Sequence, residues 1–335
     1  TGVTKATLGS HHIANALLAA GVRTLGDSRI ENIEAMRRAR VPAPMTLIRS
    51  PMLSQVERVV TSADVSFNTE LVVVRKLSVA ACEANRTHGI VLMVELGDLR
   101  EGIMPCELEH TVRDVLRLPN VVLKGIGTNL ACRCGVSPDA KNMAELSALA
   151  DSIEATFGLK LDIVSGGNSA NLNWAFGSSD TGRINDLRLG EAILLGREPL
   201  HRQPIDGLFT DAITLIAEII ESKIKPSLPW GETAQNAFGE ESSNTNRGHV
   251  AQSILAIGRQ DVDPSGLHPP SEFQILGASS DHLIIDSGGE LMPIGTEVAF
   301  QLNYSSFLSA MTSPFVATMV KMLTDIPAPA GHVSD

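Results

Sequence analysis

Positive charge is in short supply in this chain: 27 Lys and Arg stand against 38 Asp and Glu, a net charge of −11. Binding a phosphate backbone needs a basic face, so the composition excludes nucleic acid as a partner. Long apolar runs are also missing. None approaches the roughly 20 residues of a membrane span, and no cationic stretch leading into an apolar core marks the start for export. Cysteine is scarce: Cys82, Cys106, Cys132 and Cys134 all lie in the first half, at no spacing of a disulfide framework. That usage suits a reducing cytoplasm. Cys132-Arg133-Cys134 lacks the second ligand pair of a structural zinc site, so no metal is expected. There is no low-complexity tract and no internal sequence repeat.

The 335 residues, 43% hydrophobic and 19% charged, are enough for two soluble domains, or one large barrel and an appendage. Short apolar, β-branched runs recur over the first 200 residues with helical patterns between them. The runs predict strands at Gly2–Lys5, Val22–Asp27, Met45–Arg49, Val65–Asn68, Ile90–Glu95, Val121–Gly127, Leu161–Val164 and Asp186–Leu189. Ser10, Ser28, Ser54 and Ser137 stand at or near helix starts. Eight strands in β/α alternation predict a TIM-type (β/α)8 barrel over residues 1–203, where a doubly wound sheet would end at six. From about residue 205 strand-like segments bounded by Pro, Gly, Ser and Asn take over, giving a mostly β C-terminal domain over 204–335. Within it, Trp230–Arg247 reads as a long exposed loop.

In such a barrel chemistry sits at the C-terminal ends of the strands, and phosphate is often held after strands seven and eight. Strand seven runs into Ser165-Gly166-Gly167-Asn168-Ser169, and strand eight into Arg188-Leu189-Gly190-Glu191. An isolated Gly-Gly is only a tight turn. Two glycine-bearing polar loops at both expected positions predict a phosphate cup, with Ser169 or Ser165 adding a hydroxyl at a helix start. Lys5 ends strand one at the same face. A lysine imine opposite a phosphate anchor fits pyridoxal phosphate, with a sugar-phosphate aldolase as the rival reading.

Taken in order, DSRIENIE, VELGDLREGI, GIGTNLACRCGV, SGGNSANL, LRLGEAILLGRE, ILAIGRQDVDP and ILGASSDHLIID resemble the alanine racemase-like, fold-type III pyridoxal-phosphate enzymes, in their ornithine racemase branch. The resemblance implies that Lys5 forms the internal aldimine and serves as one racemisation base. It implies that Arg100 approaches the cofactor's phenolic oxygen. Ser169, with backbone at Gly190 and Glu191, forms the phosphate cup, and Arg188 bonds the pyridine nitrogen. Tyr304, the only tyrosine, matches a residue that reaches the phosphate, and Asn129 replaces a histidine beside the cofactor. Relatives carry about one strand and one helix ahead of the lysine, which this chain lacks.

The family's second base is a tyrosine, and here Arg259 stands in its place. Asp281 and His282 match a segment that enters the partner's site in the family, which makes them the candidates for that role, with Asp261 and Asp263 as others. Asp261, Asp263, Asp281 and Glu191 could also receive the side-chain ammonium of ornithine. The expected protein is thus a cytoplasmic, homodimeric amino-acid racemase. A D-amino-acid lyase of the same fold is the first alternative, but those relatives place a His and Cys metal pair in the β domain, where this chain has no cysteine. A non-catalytic pyridoxal-phosphate carrier is the second, and such proteins stop after the barrel.

Overall fold

The computed structural model describes residues 1–177, 180–241 and 245–321. The chain divides into two compact units, Thr1–Thr214 and Leu215–Asp335.

The first unit is an eight-stranded parallel barrel. Its strands are β1 (Gly2–Val3), β2 (Leu25–Asp27), β3 (Met45–Leu47), β4 (Val65–Asn68), β5 (His88–Met93), β6 (Val121–Gly127), β7 (Ile163–Asn168) and β8 (Asp186–Arg188), paired in chain order. The sheet closes on itself where Val3 N–H donates to Leu189 O and Leu189 N–H to Thr1 O, both at 2.8 Å. A helix follows each strand. The strands are apolar on both faces because both are covered. On β5, Ile90 and Leu92 join the core beneath the helices, while Val91 and Met93 cluster inside the barrel with Phe67 of β4.

The helices dock by periodic apolar stripes. Leu71–Glu83 buries Val73, Val74, Leu77, Ala80 and Ala81, the 3.6-residue repeat of one covered face. Leu77 is fully enclosed, and truncating it to alanine would cost about 2–5 kcal/mol. Ala140–Phe157 starts at Asp139, whose carboxylate accepts from Asn142 N–H while the Asn142 side chain bonds back. It ends at Gly158, whose φ of +62° suits glycine. Ser10 takes the cap position of its helix without a side-chain cap bond, and Asp139 rather than Ser137 caps this one. Lys5 lies two residues past the end of its strand, opening a 3-10 turn, Lys5–Thr7.

The second unit holds β9 (Leu215–Pro226), β10 (His249–Leu255), β11 (Leu267–His268), β12 (Gln274–Ala278), β13 (Leu283–Asp286) and β14 (Glu297–Leu302). They form an antiparallel sheet in the order β11-β14-β9-β10-β13-β12. Ile219, Leu255, Leu283, Ile285 and Phe300 form its core, joined by Ala310 from the helix Tyr304–Thr312. The described part of 227–248 has neither helix nor strand and is mostly exposed. Among the described residues no helix is long and apolar enough to cross a membrane.

Candidate active site

The barrel loops are built so that little of their backbone can move. Ahead of Lys5, the buried Thr4 donates its hydroxyl to Asp27 Oδ2 at 2.8 Å. Asp27 Oδ1 accepts from Arg29 N–H and Asn32 Nδ2 on the next loop. Burial pushes the Asp27 carboxyl up, against the opposing pull of these hydrogen bonds. Lys5 itself is half-buried, and its side chain makes no hydrogen bond or ion pair among the described residues. Its charge is felt by Glu191: burial pushes that carboxyl up, and the cations of Arg202 and Lys5 counter it. Glu191 is ion-paired to Arg202.

At the end of β7 the chain bulges, so that Ser165 pairs with Asp186 but Asn168 with Arg188. Gly167 has φ of +144°, and a Cβ there would sit 2.2 Å from Asn171 Oδ1, so the turn needs a glycine. Asn168 Oδ1 accepts from Ala170 N–H, and Ser169 Oγ accepts from Ala192 N–H at 3.2 Å. That last bond ties the loop after β7 to the one after β8. The Ser169 hydroxyl keeps its own proton for another acceptor.

Arg188 is 6% exposed and lies with its guanidinium carbon 5.1 Å from the centre of the Phe67 ring. Nη1 donates to Ser165 Oγ at 2.6 Å, and Nη2 to Thr128 O at 2.8 Å and Asn129 Oδ1 at 3.1 Å. Burial pushes its pKa down to about 10, with the Asp186 carboxylate opposing. The group therefore stays cationic at neutral pH and can only donate. Of its five N–H donors, three are used here. Asn129 Oδ1 also accepts from Asn168 Nδ2 at 3.1 Å, so Asn129 joins Arg188 to the Gly167 turn.

Two carboxylates organise the loop that carries Arg100. Glu95 accepts N–H bonds from Gly97, Leu99 and Arg100. Asp98, fully enclosed, accepts from the N–H groups of Cys132, Arg133 and Cys134 and so staples the loop after β5 to the loop after β6. The Arg100 side chain grips Glu101. The expected barrel residues Lys5, Arg100, Asn129, Ser169, Arg188, Gly190 and Glu191 all lie on this one set of strand ends.

The second unit gathers Arg259, Asp281 and His282. Arg259 N–H donates to Ser279 O and Gln260 N–H to Ser280 O, both at 2.9 Å, bringing the two segments together. Arg259 stacks on Phe238 at 4.4 Å and pairs with Glu240 at 3.1 Å. Asp281 Oδ1 lies 2.8 Å from His282 Nδ1, and that bond holds the Asp281 carboxyl below its usual range. Asp261 is committed elsewhere: it is buried, accepting from Ser313 Oγ at 2.7 Å. Asp263 accepts from Ser265 and Ser305 hydroxyls. Both fasten the helix Tyr304–Thr312, at whose half-buried first residue Tyr304 stands, and neither offers a free carboxylate.

Ser165 also differs from expectation. It stands inside β7, not at a helix start, and its hydroxyl donates to Asp186 Oδ2 at 2.5 Å. Asp98, Thr4 and Asn168 were not singled out from sequence. Only the alternation Asp186-x-Arg188, two residues apart on one strand face, could have signalled a buried charge pair.

Residues 1–198 match the family model of the alanine racemase N-terminal domain. The chain is 39% identical to ornithine racemase of Acetoanaerobium sticklandii over 94% of its length and 90% of the relative. It is 36% identical to lysine racemase of Thermotoga maritima over 94% of its length and 89% of the relative. Among solved structures, alanine racemase from Bartonella henselae with covalently bound pyridoxal phosphate superposes with a TM-score of 0.67 at 19% identity, covering 93% of this chain and 89% of that one. The chain belongs to the alanine racemase N-terminal domain family.

Proposed function

We propose, from that membership, that this chain is a pyridoxal-phosphate-dependent racemase of a basic amino acid of the ornithine and lysine class. It acts as a cytoplasmic homodimer. The observation that carries the reading is Arg188: a buried, permanently charged donor with N–H groups left over, on the same strand ends as an unpaired lysine. The residues present fit the cofactor. Ser169 and the backbone at Gly190 and Glu191 would take its phosphate, Arg188 its ring nitrogen and Arg100 its phenolic oxygen. Lys5 would carry it covalently.

Bound there, pyridoxal phosphate supplies an electron-withdrawing ring conjugated to the substrate nitrogen, which acidifies the Cα proton. Lys5, as the free amine, takes that proton on one face and returns it as the ammonium. Arg188 donates to the ring nitrogen without giving up its proton and keeps that nitrogen uncharged. With that nitrogen uncharged, the bound cofactor would draw charge away from Cα less strongly, which would favour quick return of a proton there over transfer elsewhere. In the homodimer proposed here, where this segment would enter the other copy's site, His282 would be the acid and base for the opposite face. Asp281 at Nδ1 fixes the tautomer with the proton on that nitrogen, leaving the Nε2 lone pair as acceptor. Arg259, neutralised by Glu240, is a poor proton acceptor and serves as a binding residue.

The test is incubation of the protein and pyridoxal phosphate with L-ornithine and L-lysine, followed by chiral chromatography. D-enantiomer is expected from one or both. If none appears with ornithine, lysine, alanine or serine, the reading is wrong. Sedimentation of the loaded protein checks the dimer.

A further inference from the structure

Behind Arg188 lies a chain of hydrogen bonds whose direction is fixed at both ends. Arginine can only donate, so Ser165 Oγ accepts from Nη1 at 2.6 Å. A carboxylate can only accept, so the single Ser165 proton goes to Asp186 Oδ2 at 2.5 Å. Ser165 stands directly across from Asp186, and the bulge that follows brings Asn168 to Arg188. Asp186, whose Oδ1 pairs with the Thr1 ammonium at 3.2 Å, thus stands one hydroxyl away from a buried guanidinium. Nη2 is held by Thr128 O and Asn129 Oδ1, and Ser165 is the one acceptor of Nη1 among the described residues, which leaves Nε–H and one Nη1 N–H over.

We propose that Ser165 and Asp186 are positioning residues that act through Arg188: the carboxylate orients the hydroxyl, and the hydroxyl locks the guanidinium with its unused N–H groups turned to the cofactor ring. This rests on the reading that Arg188 addresses the ring nitrogen of pyridoxal phosphate. Asp186→Asn keeps the shape but removes the charge and lets the amide donate, so the direction of the chain is lost. Ser165→Ala removes one hydroxyl and leaves a buried donor on Arg188 without its acceptor. In both variants the Nη2 bonds to Thr128 and Asn129 remain but Nη1 no longer has an acceptor fixed in direction, so the guanidinium is held less firmly and the ring nitrogen of the bound cofactor would be more open to protonation from solvent.

The experiment titrates cofactor-free protein with pyridoxal phosphate and follows the visible absorption band of the bound cofactor against pH. Each single variant is expected to bind about tenfold more weakly, the loss of one charge-assisted hydrogen bond. Its band should gain a titration step across neutral pH that the parent lacks. The double variant should bind no more weakly than Asp186→Asn alone, because both changes break one chain. Asp186 also accepts from the Thr1 hydroxyl at 2.6 Å, so Thr1→Val controls for strand pinning and should leave the band unchanged. The proposal is overturned if both single variants bind within twofold of the parent with a flat band, or if the two losses add in the double variant. A parent protein that takes up no pyridoxal phosphate overturns the cofactor reading itself. A parent that binds it but racemises nothing leaves this proposal standing on its own spectra.

Discussion

His88, the first residue of β5, is 1% exposed, and its Nδ1 has no hydrogen-bond partner. Its Nε2 lies 2.8 Å from Ser66 Oγ, which also accepts from Asn68 Nδ2 at 3.0 Å. Burial pushes its pKa down from 6.5 to about 4, against weaker pulls from the Ala63 backbone and Asp64. The unfolded chain therefore binds a proton that the folded barrel refuses, between those two values. Stability from the neutral ring is complete above about pH 6.5 and is lost as the pH falls toward 4. A gap of about 2.5 units is about 3 kcal/mol when fully developed, and about 2 kcal/mol at pH 5. With a urea slope of about 2 kcal/mol per M, the midpoint should drop by about 1 M between pH 7 and pH 5 from this group alone. The perturbation is His88→Gln, which keeps a nitrogen near Nε2 for Ser66 and cannot titrate. Replacing Trp230 by Phe leaves Trp174 as the only tryptophan, so its fluorescence reports the barrel. The cofactor-free His88→Gln protein should lose about 1 M less of its midpoint over the same pH span than the parent. Parallel losses in the two proteins would refute the assignment of this pH dependence to His88.

Lys5→Ala should abolish racemisation, by about 10²–10⁴-fold or more, without moving the melting temperature of cofactor-free protein, because the side chain makes no structural bond. A large loss of stability would contradict that. His282→Gln should stop net racemisation while Lys5 still exchanges the Cα proton of one enantiomer in deuterated water; loss of exchange from both enantiomers would show that His282 is not the opposite-face base. Gly167→Ala, at φ +144° with a Cβ 2.2 Å from Asn171 Oδ1, should cost about 1–3 kcal/mol and weaken pyridoxal phosphate binding, read by titration. Asp98→Ala strips three N–H groups of a buried acceptor and should cost about 2 kcal/mol or more in denaturant melts.

The barrel was legible because its signal is repetitive: eight apolar runs alternating with periodic helices leave few architectures that bury both faces of every strand. The two-residue β11 escaped, since a strand of that length carries no alternation to read. The placement of Lys5, Ser169 and Arg188 on one set of strand ends was legible because strand order says which loops share that face. What could not be read was commitment. Asp261, Asp263 and Asp281 look alike in sequence, yet the first two fasten a helix and the third meets a histidine. Ser165 and Asp186 are 21 residues apart, and a bulge that shifts register by one residue follows their pairing. No local pattern encodes that shift beyond the paired glycines.

The way charge is distributed explains how an acidic chain can present cations to an anionic cofactor. Arg100 is gripped by Glu101 next to it in sequence, and Arg188 reaches Asp186 two residues back through Ser165. Arg100 and Arg188 repel each other, which contributes to the lowered pKa of Arg188. Both arginines thus have a carboxylate close by, Arg188 only through a hydroxyl, and the Lys5 side chain has none bonded to it among the described residues. Glu95, Asp98 and Glu198 spend their charge on backbone N–H groups, Glu198 on those of Leu200, His201 and Gln203. Part of the acid in the composition thus holds loops in shape. A phosphate bound here, as the proposed function requires, would meet N–H donors and arginines whose positions are already set, so little ordering would remain to be done on binding. Lys5, at the same strand ends, has no side-chain hydrogen bond or ion pair among the described residues.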